Sequence, residues 1–263
     1  MQTLYTHFKV GGTIIHNMNY ISTTSIIKRA WATVTANLLT FVAAAAVLLT
    51  VQIIFSAVTS VSEKNEMSPE LGVLTLVTTL ASLVIGVAVT TALIRIARGA
   101  PVTMQALSIS LLQVLRFVGV HILIGLIMLA LVIPIVGVAI LLGITSFAGE
   151  MNNSVIAFAA ILVAAVIFIV YVSIRLSFAK YIVLDGATGV VEALKRSWNI
   201  TRGHIWTIVK LGLLSMLVVL LGALALIIGL FIAIPIIALA YTYLYVELSS
   251  QKEKMVSGVK NNE

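Results

Sequence analysis

The chain has 263 residues, 61% of them hydrophobic and 10% charged, with a mean hydropathy of +1.17. A soluble domain runs at about 45–50% apolar and about 25% charged, so this composition excludes a cytosolic enzyme, a disordered chain and a disulfide-stapled secreted module. Cysteine is absent and the formal charge is +7; the first rules out thiol chemistry and Cys-based metal sites, and the second is read as a marker of membrane sides rather than of nucleic acid.

A helix needs about 20 mostly apolar residues to cross the hydrocarbon core. In chain order the candidate crossings are Asn37–Ser60, Leu71–Arg95, Phe117–Leu142, Val155–Arg175, Ile205–Leu226 and Ile228–Leu248. The last two are separated only by a turn expected near Gly229, with Pro235 inside the final helix. The first apolar run is too long for a cleavable signal segment, whose core spans roughly 7–15 residues. The fold class expected is therefore all-α integral membrane with six transmembrane helices. Residues 1–20 and 249–263 read as flexible polar segments flanking a six-helix domain over 21–248.

The loops alternate in charge. Residues 1–36 carry Lys9, Lys28 and Arg29 with no acid, and the next loop holds Glu63, Lys64, Glu66 and Glu70. Arg95, Arg98 and Arg116 follow, then a loop whose only charge is Glu150, then the strongly basic stretch 175–204. With Lys210 and the lysines of the tail included, 15 of the 16 basic residues fall on one side. Basic loops stay cytoplasmic, so both termini are expected inside the cell (cytoplasmic) membrane. Trp31, Trp198 and Trp206 lie at the same boundary, as do Tyr171, Tyr241, Tyr243 and Tyr245, where aromatic side chains anchor in the headgroup layer.

Three short segments resemble one another. Residues 99–111 match 186–198 at five of 13 positions, and Lys28-Arg29-Ala30-Trp31 matches Lys195-Arg196-Ser197-Trp198. The spacing suggests parallel repeats over about 21–97, 98–178 and 185–248, each an amphipathic helix followed by a hairpin of two crossings. In the third unit the stripe is Val190, Leu194, Trp198, Thr201 and Ile205, opposite Glu192, Lys195, Arg196, Asn199 and Arg202. In the second it is Met104, Leu107, Leu111 and Val118, and in the first Ile27, Trp31, Val34 and Leu38. An apolar stripe opposite a basic face suits a helix lying in the headgroup region. Lys28, Arg29, Lys195, Arg196 and Arg202, with Trp31 and Trp198, are thus candidate contacts to anionic headgroups or to a protein partner or second copy. Ser82, Gly86 and Thr90 on the second span, with Gly222 and Gly229, are small enough to let helices approach closely.

The stretch Arg175–Gly186 followed by Glu192–Trp206 resembles the membrane domain named after glycerophosphodiester phosphodiesterases and the related YciC-like membrane proteins. The matching positions are Val183 to Gly186, then Ala193, Leu194, Ser197, Trp198, Thr201 and Gly203. Arg98-Gly-Ala-Pro-Val, Gln105-Ala-Leu and Ile133-Pro-Ile-Val-Gly137 also resemble family positions, although Pro134 is followed by Ile135 where the family usually has glycine. The resemblance implies the membrane architecture alone; the phosphodiesterase activity belongs to a separate soluble domain for which this chain has no room.

Catalytic patterns are missing. Asp185 is the only aspartate, the four histidines are scattered, and neither a phosphate-cradling glycine loop nor a nucleophile elbow occurs. No ionisable residue falls at mid-span, which argues against ion-coupled transport through a buried charge. The expectation is a non-enzymatic accessory or scaffold in membrane homeostasis, without cofactor or metal. The alternative is a transporter or export/immunity component moving a lipid-like or small apolar substrate.

Overall fold

The computed structural model describes residues 9–10, 13–14, 21–64, 69–147, 151–186, 188–224 and 226–260. The loops around Glu66 and Glu150, and most of 1–20, lie outside them. Ahead of the helices, Lys9–Val10 (β1) pairs antiparallel with Thr13–Ile14 (β2). Everything else regular is helical: α1 Thr23–Ala36, α2 Leu38–Lys64, α3 Pro69–Ala97, α4 Leu111–Phe147, α5 Met151–Leu176, α6 Ala179–Asp185, α7 Val190–Ile200, α8 Ile205–Leu224 and α9 Leu226–Lys260.

Six stretches among the described residues are long and apolar enough to cross a membrane: Leu38–Ala57, Gly72–Ala97, Leu111–Val138, Ala160–Asp185, Ile205–Leu224 and Gly229–Glu253. The protein is an all-α polytopic membrane protein. Helices are what such sequences must form, because lipid offers no partner for a backbone N–H or C=O. Leu39, Ile53, Leu76, Leu126, Ile167 and Leu217 are all exposed, a surface that water would not tolerate and hydrocarbon solvates.

Local chemistry sets the joints. Asn37 interrupts the backbone between α1 and α2: its N–H bonds Val34 O, and its side-chain amide donates to Thr33 O. At the end of α3, Gly99 adopts φ +98; its N–H donates to Ile96 O and that of Ala100 to Arg95 O. This is the Schellman closure that glycine alone enters without strain, and Pro101 prevents the helix from resuming. Gly203, at φ +88, also takes a left-handed position, in the turn between α7 and α8, where the His204 N–H donates to Thr201 O.

Sequence-neighbouring helices pair as α2/α3, α4/α5 and α8/α9, and α9 additionally packs on α1, α2, α3 and α7. Half of α9's apolar window is buried, against 6% for α3 and α4, so α9 is the spine. The core sits at one end of the bundle, where the basic residues are: Ile94 and Ala97 of α3, Ile182 to Leu184 of α6, Ala193 and Leu194 of α7, and Leu239 to Tyr245 of α9.

Several expectations are corrected. Helix α8 ends at Leu224 and α9 begins at Leu226, so Gly229, near which the turn is expected, lies inside α9. The second unit has no amphipathic helix: Met104–Leu107 is a single 3-10 turn, and Leu111 already begins α4. Residues 249–260, expected as a flexible tail, continue α9 as helix, and Ser249 at its start is buried. On α1 the buried residues are Ile26, Ala30 and Val34: Val34 is in the expected stripe, but Ile26 and Ala30 take the places expected for Ile27 and Trp31. A small residue lets α1 sit close on α9, whereas the Trp31 indole turns outward and is 54% exposed. On α7 the buried set is Ala193, Leu194, Ser197 and Ile200; Leu194, and Thr201 just after the helix, are buried as expected, whereas Trp198 is exposed. Tyr243 and Tyr245, expected as interfacial anchors, are buried in the core.

Candidate functional site

The basic side chains singled out by the sequence fall into two groups on α9's flanks. Lys28, Arg29 and Trp31 belong to α1; Lys195, Arg196 and Trp198 belong to α7, with Arg202 in the turn that follows. Lys28, Lys195 and Arg202 are exposed, as are all three tryptophans. Arg196 is instead engaged by Glu253 of α9 at 2.7 Å.

Arg29 behaves differently from its neighbours. Its guanidinium lies over the Tyr243 ring, 4.4 Å from the centroid. The Tyr243 hydroxyl shares a hydrogen bond of 3.0 Å with Thr33 one turn along α1, which fixes the ring under the cation. Such stacking suits arginine because its planar, weakly hydrated face accepts an aromatic neighbour and leaves the edge donors free.

Beside it, Arg98 at the end of α3 pairs with Asp185 at the end of α6, and the same carboxylate accepts the Tyr245 hydroxyl of α9 at 2.7 Å. Phe178, Tyr181 and Tyr245 stack behind this junction. The single aspartate therefore ties three helices together. The position one residue before Gly99 thus meets the position one residue before Gly186, the glycines matched between the second and third units.

Arg175, which the charge pattern counts only as one basic residue of the 175–204 stretch, has a structural role. It is buried at 7% exposure, donates to the Tyr171 hydroxyl at 2.8 Å and to Trp198 O at 3.1 Å, and faces both aromatic rings. Ser197 donates to Arg175 O at 2.8 Å. Together these contacts clamp α7 onto α5, and the signal that points to them is the Ser-Trp of the KRSW segment.

Arg29, Arg98, Tyr243, Glu247, Ser249, Ser250 and Glu253 line a groove of about 530 Å³ at this end, within the size range of small-ligand sites. His204, just before α8, is held below the ordinary imidazole value by partial burial and by the charge of Lys252. Among the described residues no three His, Cys, Asp or Glu side chains gather to hold a metal.

The small residues divide. Gly222 presses α8 on α9, since a Cβ there would lie 3.0 Å from Ala233 Cβ and from Gly229 O. Gly86 would meet nothing within 4 Å; Thr90 turns its hydroxyl to Gly86 O, and the half-buried Ser82 hydroxyl has no partner in the described residues.

Comparison with known proteins finds no family model, no characterised protein and no solved structure that the chain matches.

Proposed function

We propose that this is a non-enzymatic accessory protein of the cell membrane, of the YciC-like kind that its 175–206 segment resembles. Its basic end lies on the cytoplasmic side and contacts anionic headgroups or a protein partner. The observation that carries this reading is the shared exposure, at one end of the bundle, of Lys28, Lys195 and Arg202 beside Trp31, Trp198 and Trp206. Each lysine or arginine near an anionic surface contributes on the order of 1 kcal/mol, and the indoles hold the helices at headgroup depth.

The chain lacks cysteine, so single-cysteine variants report topology cleanly. Cysteine introduced at Lys28, Lys195 or Lys252 is expected to react with an impermeant maleimide only when the cytoplasmic face is opened. In vesicles, raising the phosphatidylglycerol fraction is expected to shift the tryptophan emission of the wild type and to leave a K28Q/K195Q/R202Q variant unmoved. External labelling of the intact cell at these sites, or equal lipid responses of the two proteins, overturns the reading.

A further inference from the structure

The groove has α9 as its floor and α1 and α3 as its walls. Both walls pack on α9 and make at most marginal contact with each other, so the opening between them is a product of the fold rather than of side-chain choice. The charges lining it cancel in two places: Asp185 takes Arg98, and Arg196 takes Glu253. Among the described residues this leaves two lining charges without an ion pair, Arg29 and Glu247.

Those two are of opposite sign and line the same groove. Glu247 is half-buried, and its carboxylate makes no hydrogen bond within the described residues. The Arg29 guanidinium lies over the Tyr243 ring and makes no hydrogen bond within the described residues, which leaves its donors for two oxygens of a phosphate. A purely anionic ligand on Arg29 would bring a second negative charge against Glu247. A purely cationic one would meet Arg29. A ligand that carries a phosphate and, a short link away, a protonated amine satisfies both.

We propose that the groove binds the phosphoethanolamine headgroup of a phospholipid, with its phosphate on the Arg29 edge and its ammonium on Glu247. The lipid form is favoured over the free headgroup by position. The groove opens where the apolar stretches Gly72–Ala97 and Gly229–Glu253 end, on the helix that exposes Trp31. This site is separate from the surface contact of Lys28, Lys195 and Arg202 and does not depend on it.

The test is native mass spectrometry of the full chain in detergent with equimolar phosphatidylethanolamine, phosphatidylglycerol and phosphatidylcholine. The wild type is expected to retain phosphatidylethanolamine about tenfold over the other two, the scale of one charge-assisted hydrogen bond. E247Q is expected to lose that preference while keeping phosphatidylglycerol adducts, and E247D to restore it in part. R29K keeps the charge but loses the fork, and is expected to retain several-fold less phosphatidylethanolamine. K28Q/K195Q is expected to leave the preference intact, which separates this groove from the anionic-lipid surface. The proposal is overturned if phosphatidylglycerol is held as well as phosphatidylethanolamine, if phosphatidylcholine matches it, or if E247Q and E247D both keep the wild-type preference. It is also overturned if free phosphoethanolamine displaces the lipid at equal concentration, which would make the ligand a soluble one.

Discussion

The Arg98–Asp185 pair supports an asymmetric prediction. The Asp185 side chain is 11% exposed and that of Arg98 is 52% exposed, so the two partners have unequal recourse to water. Removing Arg98 strands a nearly buried carboxylate with the Tyr245 hydroxyl. A buried charge that loses its partner costs about 3–5 kcal/mol, and the retained Tyr245 bond with the remaining exposure brings R98A to about 2–3 kcal/mol. D185N removes the charge instead. The amide oxygen still accepts from Tyr245, Arg98 turns into water, and the loss is the difference between a charged and a neutral hydrogen bond, about 1 kcal/mol. The double variant R98A/D185N strands no charge and is expected to be more stable than R98A alone by about 1 kcal/mol. Reversible denaturation in micelles, followed by tryptophan emission, measures all three. The reasoning fails if D185N costs as much as R98A, or if the double variant is no more stable than R98A.

At Gly222 a new side chain must push α8 from α9, so G222L is expected to cost about 1–3 kcal/mol, whereas G86L, which meets open space, stays within about 0.5 kcal/mol; thermal melting of both variants checks the contrast. His204 has a folded value below its unfolded one, near 6.5, so protonation favours the unfolded chain. Stability is full above that value and declines as the pH falls through it towards the lowered one. H204Q is expected to flatten that part of the melting-temperature profile, and an unchanged slope would assign it to another group.

The spans are legible because their signal is length and apolarity, which packing does not alter: the sequence places a crossing at Ile205–Leu226 and the structure has one at Ile205–Leu224. The joints were legible where glycine or proline wrote them, as at Gly99-Ala100-Pro101. The faces of the amphipathic helices were less so. Periodicity ranks Trp31 above Ala30 because the indole is larger and more apolar, but a helix seated on another helix buries its small residues and leaves the indole to the membrane interface. The second unit shows the same limit, since Met104, Leu107 and Leu111 keep helical spacing across a 3-10 turn and a new helix. In the site, Lys28, Lys195 and Arg202 were visible as a charge pattern. Glu247, Tyr243 and the Arg175 clamp were not, because their roles arise from α9 and α5 meeting helices far away in sequence.

That α9 touches five other helices also orders events in time. It is the last of the six spans to leave the ribosome, and the hairpins α2/α3 and α4/α5 enter the bilayer before the helix that joins them exists. A nascent chain halted ahead of Leu226 would lack the main packing partner of α8, the groove, and the Tyr245 end of the Asp185 junction. The packing that closes the bundle therefore waits on the last span, and the earlier hairpins have no spine to seat on until α9 is made.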